Sequence, residues 1–277
     1  MGQLVFEGMP ERLYAATPAR LTTYTDCPRR YRHAYLDRPT PARRGAMGHT
    51  SIGASVHTAL ARWWGLPRER RTPGQGGRLV EEAWIGEGFR DPAQSLVARD
   101  RAREQVVGYL DRVDPDDVPV AVERTVSLRT EHAVLWGRVD RVDDRNGALV
   151  VVDYKTGRSV PAVEEARTSL ALAVYAAAVA AAQRRPCLRV ELHHLPSGEV
   201  VAADHTEESL AAAVDRADAL AARLAELDGR HAAASAPAAD ELFPARVAPR
   251  CGWCEFRPVC GPGRTEPPRS AWAAVRD

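Results

Sequence analysis

Two short segments carry the residues best suited to chemistry: Gly137-Arg138-Val139-Asp140-Arg141, and Val150-Val151-Val152-Asp153-Tyr154-Lys155-Thr156-Gly157. The loop between them contains Asn146-Gly147, the pair that most strongly favours a two-residue hairpin turn. With that turn, Arg145 pairs with Ala148, and counting back along both strands sets Asp140 opposite Asp153. Opposed residues on one face have Cβ atoms roughly 4.5–5.5 Å apart, and like charges there destabilise a sheet. A divalent cation between the two carboxylates relieves that repulsion, and hard oxygen ligands suit Mg²⁺ or Mn²⁺. Lys155 lies two residues beyond Asp153 and therefore on the same face, where an ammonium group can orient a water nucleophile and stabilise developing negative charge. The same register sets Arg138 opposite Lys155, which requires the strands to splay or an anion to lie between them.

Composition sharpens the case for the lysine. Of 38 basic residues in the 277-residue chain, Lys155 is the only lysine. Arginine and lysine exchange freely on surfaces but not at many reacting centres, where a compact ammonium differs from a planar, permanently charged fork. A phosphate-binding Gly-x-x-x-x-Gly-Lys-Ser/Thr loop is excluded, because Lys155 does not stand in one. The formal net charge of +1 gives no bulk attraction to nucleic acid, so any such contact needs a local set of arginines. Arg29, Arg30, Arg32, Arg138 and Arg141 are candidates.

Five cysteines, three of them in Cys251-Gly-Trp-Cys254 followed by Cys260, point to soft-metal ligation in a reducing compartment and not to a secreted disulfide framework. The fourth ligand is sought among Cys27 and Cys187. Cys27 begins Cys-Pro-Arg-Arg-Tyr after an aromatic helix, whereas Cys187 follows Pro186 at a helix-to-strand junction, where a small buried thiol is usual. Four thiolates suit zinc or an iron-sulfur cluster, and ligand count alone does not separate them.

The elements that must position these residues follow from periodicity. Residues 11–38 read as strand or coil leading into a short helix capped by Thr22 or Thr23, with Tyr24, Cys27, Tyr31 and Tyr35 on one face. Helices are expected over 53–64, 78–112, 163–183 and 206–227. Alternating strands are expected from Val118 to Val152, then at 188–195 and 199–203, with 232–249 an Ala/Pro linker lacking a core. The class is α/β with a mixed sheet. Met1–Pro10 lacks a basic segment followed by an apolar run, and no long uncharged apolar stretch occurs, so a cytoplasmic protein is expected.

The spacing Asp140…Asp153-x-Lys155 resembles the PD-(D/E)XK nuclease superfamily. Gly53-x-x-x-His57 is similar to the Gly-x-x-x-His helix of its RecB-like family, and Tyr175 falls where that family's Gln-x-x-x-Tyr motif places its tyrosine, with Ala171 at the glutamine position. One cysteine near the N-terminus with Cys-x-x-Cys-x₅-Cys near the C-terminus resembles the iron-sulfur subset, which includes AddB-type subunits and CRISPR-associated exonucleases. The resemblance implies a restriction-endonuclease-like core, Mg²⁺- or Mn²⁺-dependent DNA hydrolysis at single-stranded ends, and catalytic Asp140, Asp153 and Lys155. It also implies metal ligation by His57, Asp140, Asp153 and the Tyr154 carbonyl, and a [4Fe-4S] cluster on Cys27, Cys251, Cys254 and Cys260. A single nuclease domain over 1–277 is expected, with a helical insertion at 58–115 and a linker and cluster segment at 229–277 closing onto Cys27. A role in DNA repair or CRISPR adaptation and a helicase partner are further implications. The alternative is a DNA-binding or scaffolding subunit of a helicase-nuclease complex with little activity of its own.

Overall fold

The hairpin at the centre forms in the expected register. In the computed structural model, which describes residues 13–275, β3 (Ala133–Arg145) and β4 (Ala148–Lys155) pair antiparallel from Arg145↔Ala148 to Arg141↔Val152. Asn146 and Gly147 both take positive φ, 55° and 93°, as a turn of that hand requires. The expectation for Met1–Pro10 lies outside the described residues.

β3 is long enough to serve three partners. β2 (Ala121–Arg129) runs antiparallel along one edge of it from Ala121↔Val142 to Arg129↔Val134. The other edge is shared by β1 (Tyr14–Ala16), parallel at Ala133–Leu135, and by β4. Pairing of β3 with β4 stops at Arg141↔Val152, and β4 then continues beside parallel β5 (Arg189–His194) through Lys155↔His194. β6 (Glu199–Asp204) closes the six-stranded sheet antiparallel to β5. The strands therefore fork between Asp140 and Asp153, and this is how Arg138 avoids Lys155: it pairs with Glu123 on β2 at 2.7 Å.

Helices cover both faces of the mixed sheet. Val150, Val152 and Tyr154 of β4 pack with α3 (Gly48–Trp64), α4 (Pro73–Glu82) and α5 (Pro92–Leu110). Leu149 and Val151, on the alternate side, pack with α6 (Val163–Thr168), α7 (Leu170–Gln183) and α8 (Glu207–His231). Among the described residues no helix is long and apolar enough to cross a membrane.

Several expected boundaries are corrected. The first helix, α1 (Pro18–Asp26), starts earlier than expected and is capped by Thr17, whose side chain accepts from Arg20 N, with Pro18 supplying a preset φ at the first position. Cys27 then separates it from α2 (Pro28–Tyr35). The span 78–112 is not one helix: it breaks through Gly86 and Gly88, the latter at φ 85°, and Asp91 caps a fresh start by accepting from Gln94 N. Ser169 likewise splits 163–183 by capping α7. The Ala/Pro stretch is no bare linker, because α9 (Ala236–Leu242) leads into Phe243, fully buried and stacked on Tyr31 at 6.0 Å.

Glu191 on β5 is 1% exposed and bonds Arg145 at 2.6 and 2.7 Å, Arg189 at 2.8 Å and His193 at 3.0 Å. Burial alone would raise its pKa, but these donors outweigh burial and hold it well below the usual carboxylate range. A depressed carboxyl stabilises the fold above its unfolded pKa of about 4.3 and loses that contribution as the pH falls through the folded value. Glu191→Gln is expected to cost about 3–5 kcal/mol at neutral pH, because cationic partners are left without their anion. Urea unfolding from neutral pH down to about pH 3 should show the wild-type stability declining on the acid side and a flatter limb in the variant.

Candidate active site

The fork between β3 and β4 is closed from above by α3. Thr50, Gly53, Ala54 and His57 recur at helical spacing along one face of that helix and line a groove with Glu123 and Arg138. His57 Nδ1 lies 3.2 Å from Asp140 Oδ1, and His57 Nε2 lies 3.1 Å from the carbonyl of Tyr154. The backbone N–H of Tyr154 donates to Asp140 Oδ2 at 2.9 Å. One residue of β4, through its N–H and its C=O, thus holds both the carboxylate and the imidazole of the neighbouring elements.

Glu123 is the residue missed in the sequence. It stands opposite Asp140 in the β2–β3 register, between Val122↔Arg141 and Arg124↔Val139, and has φ 47°. Ligand atoms of His57, Glu123 and Asp140 all lie within 4.8 Å of one another. Its only sequence signal is an acidic residue on the polar phase of the Val120–Val126 run, and nothing local specifies which strand it will face.

Asp153 and Lys155 lie beside this trio. Lys155 Nζ is 2.9 Å from Asp153 Oδ2. Burial raises the Asp153 pKa above the usual range; Lys155 opposes the shift and the Asp140 charge adds to it. Burial lowers His57, but its contact with Asp140 and the charges of Asp153 and Glu123 carry it above its ordinary value. Glu123 is raised, first by burial, with Arg138 opposing. An excess of buried negative charge around one imidazole is the electrostatic pattern of a cation site.

The residues fit a hard divalent ion. The 3.2 Å between His57 Nδ1 and Asp140 Oδ1 matches the roughly 3 Å that separates adjacent ligands held at about 2.1 Å in an octahedral shell. A proton on Nε2 donated to Tyr154 O leaves the Nδ1 lone pair for the ion, the usual way a second contact sets a histidine tautomer. That carbonyl, expected as a metal oxygen, has His57 as its neighbour here. Glu123→Gln is expected to raise the Mn²⁺ concentration for half-maximal activity about 10-fold or more, checked by metal titration of the cleavage rate.

Tyr175 from α7 crosses β3 where Gly137 leaves room: a Cβ at Gly137 would lie 2.4 Å from its ring and 2.6 Å from its hydroxyl. Burial raises the Tyr175 pKa, and the charges of Asp153 and Asp140 add to this, so the ring borders the acidic pair. Gly137→Ala is expected to destabilise by about 1–3 kcal/mol through overpacking. In urea unfolding, Gly137→Ala/Tyr175→Ala should be less destabilised than the sum of the single variants.

The arginines expected to face DNA are largely structural. Arg141 is 5% exposed, bonds Tyr109, Tyr154 and Asp143, and lies over the Trp64 ring of α3 at 5.1 Å, inside the layer between the sheet and α3–α5. Arg32 is buried against Asp37 and Asp240, Arg29 donates to Phe243 O, and Arg30 pairs with Glu255.

Cys27, Cys251, Cys254 and Cys260 line one small cavity between α1–α2 and the C-terminal segment, and all are free thiols. Arg246 N donates to Cys27 Sγ at 3.5 Å, and Cys251 Sγ donates to Arg246 O at 3.8 Å. Gly263 leaves room for Cys260 Sγ, 3.2 Å from where a Cβ would stand. Burial pushes the Cys254 thiol up to about 11. Among the described residues no three of these sulfurs lie within 4.8 Å of one another, whereas thiolates on one zinc at about 2.3 Å would sit roughly 3.8 Å apart. The donor set suits a soft metal group, and the four sulfurs are not gathered within common ligand reach. Cys187 lies elsewhere, fully buried in the core, its thiol pushed up to about 12 by burial.

The family model for the PD-(D/E)XK nuclease superfamily matches residues 15–261, and the chain belongs to that superfamily. Its fold is similar to that of a crystal structure named "Putative exonuclease" from Eubacterium rectale, with TM-score 0.50 and 11% identity over 83% of this chain and 88% of that one. A crystal structure of SSO0001 also matches, with TM-score 0.39 and 13% identity over 92% of this chain and 90% of that one. No curated protein sequence matches.

Proposed function

We propose that this chain is a divalent-metal-dependent deoxyribonuclease acting at single-stranded DNA ends, within the RecB-like, iron-sulfur subset of its superfamily. The observation that carries this reading is the gathering of His57, Glu123 and Asp140 within ligand reach of one another, with the Asp153–Lys155 pair beside them. His57, Asp140 and Asp153 would hold Mg²⁺ or Mn²⁺, Glu123 would complete the set, and the Tyr154 carbonyl would orient His57. Such an ion, when bound, supplies Lewis acidity and a water of lowered pKa.

The chain's own residues do the rest. Lys155 holds the attacking water by donating from Nζ and stabilises the charge that grows on the phosphate oxygens in the transition state. Asp153 keeps the ammonium aimed into the fork. Tyr154 N fixes Asp140 and Lys155 pairs with Asp153, so both carboxylates are held before substrate arrives.

The cysteine cavity would hold a [4Fe-4S] cluster, with zinc as the alternative. Support comes from the four thiols around one cavity, a donor set suited to soft metals. Its role is structural: it would close a single nuclease domain by joining segment 229–277 to Cys27, with 58–115 as a helical insertion. The test is anaerobic purification, a visible absorption scan, and incubation with end-labelled single-stranded DNA in Mn²⁺ or EDTA. Release of short products in Mn²⁺ alone is expected; no release in either refutes the reading.

A further inference from the structure

A second groove, outside the carboxylate site, has the chemistry of a polyanion track. It is lined by Arg43, Arg44, Arg246 and Arg250, with His49 and Trp253 among them, and it borders the cysteine cavity. Arg44 donates to the carbonyls of Gly252 and Arg269, Arg246 to that of Thr25, and Arg43 to that of Ala34. Carbonyls orient a guanidinium without neutralising it. These three carry no acidic partner among the described residues, whereas Arg250 has Asp26 at 3.8 Å. Arg43 and Arg246 are exposed, in a chain whose formal net charge is only +1. These guanidinia give the groove a local positive charge, beside the Arg30–Glu255 pair that also lines it.

The groove also offers rings. Trp253 is half-buried and meets the exposed His49 ring edge-on at 5.9 Å. Aromatic faces beside guanidinia suit unpaired bases attached to phosphates, since every base has a face to stack and duplex bases do not.

Its position links it to the fork. Thr50 and Ala54 line this groove and also the one that holds His57 and Glu123. With Gly53 they form a floor of small side chains along α3, over which a sugar-phosphate backbone can pass closely. We infer that a single strand of DNA lies along Arg43, Arg44 and Arg246, stacks a base on Trp253, and enters the fork over Thr50–Ala54. This rests on the nuclease reading for the identity of the polyanion.

Binding is read by fluorescence anisotropy with labelled oligo(dT) in EDTA, so that no cleavage occurs and nuclease activity is not part of the result. Arg43→Ala is expected to weaken binding about 10-fold and to reduce the slope of log K against log[salt] by about 0.7, the value of one lost single-strand phosphate contact. Arg43→Lys, which keeps the charge, should restore the slope. Oligo(dT) should quench intrinsic tryptophan fluorescence in the wild type, and Trp253→Phe should remove most of that quench at an unchanged melting temperature. Unaltered affinity and slope in Arg43→Ala, an unaltered quench in Trp253→Phe, or preference for blunt duplex over single strand would overturn the assignment. A protein that binds through this groove and never cleaves in Mn²⁺ would refute the nuclease reading and leave the groove standing.

Discussion

Lys155→Ala is expected to lower Mn²⁺-dependent degradation of single-stranded DNA by about 10³-fold or more, with a melting temperature close to that of the wild type. The rate effect follows from removing a preorganised donor at the point where charge develops, where single contacts are worth factors of about 10²–10³. The absence of a spare lysine adds to it, because no other ammonium in the chain can substitute. The small stability effect follows from exposure: the Lys155 side chain is 36% exposed, and a solvent-screened ion pair contributes little. Asp153→Ala should reach a similar loss of activity while holding or raising stability, since it removes a half-buried carboxyl whose pKa is already pushed up. Single-turnover rates and thermal melts of both variants check this pair of expectations. Lys155→Arg is a sharper probe, because it keeps the charge but replaces a compact donor by a planar fork, and it should fail to restore the rate.

Cys254→Ser is the second large effect, now on stability. Cys27 and Cys251 are far apart in sequence, and a shared metal group would close a loop whose entropy is worth about 5 kcal/mol on a cross-link model. Protein contacts retain part of that closure: Arg30 pairs with Glu255, Arg250 donates to Asp26 O, and Arg44 donates to Gly252 O. The expected outcome is a melting temperature lowered by several degrees and loss of visible absorption in an anaerobic preparation. Cys187→Ser should leave the absorption intact, because that thiol packs in the core away from the cavity. Equal absorption in wild type and Cys254→Ser would remove the cluster from the account.

What was legible in the sequence was the local part. Asn146-Gly147 specified the turn, and the turn specified the register from Arg145↔Ala148 to Arg141↔Val152, which brings Asp140 and Asp153 to the end of the paired stretch without any long-range information. The fork was foreshadowed as well, since register alone opposed Arg138 to Lys155. The rest depended on tertiary pairing. Glu123 reaches the site because β2 lies along the outer edge of β3, and no local signal says which strand β2 will choose. β1, three residues long, pairs parallel with a strand more than a hundred residues away. Arg141 illustrates the converse: in sequence it is one more arginine beside an aspartate, and in the fold it lies buried against Tyr109 and Tyr154. Long helices were overextended where Gly86, Gly88 and Ser169 interrupt apolar periodicity that continues on both sides.

The proposed cation at the fork is shared by residues of α3, β2, β3 and β4. Crystals of the protein soaked in Mn²⁺ and measured for anomalous scattering locate such an ion without reference to activity. The account predicts a peak in coordinating contact with His57 and Asp140 and near Glu123 and Asp153, lost in Asp140→Asn. A fork without a peak, or a peak at Glu131, His132 and Asp218 beside the β2–β3 turn while DNA is still degraded, would contradict it.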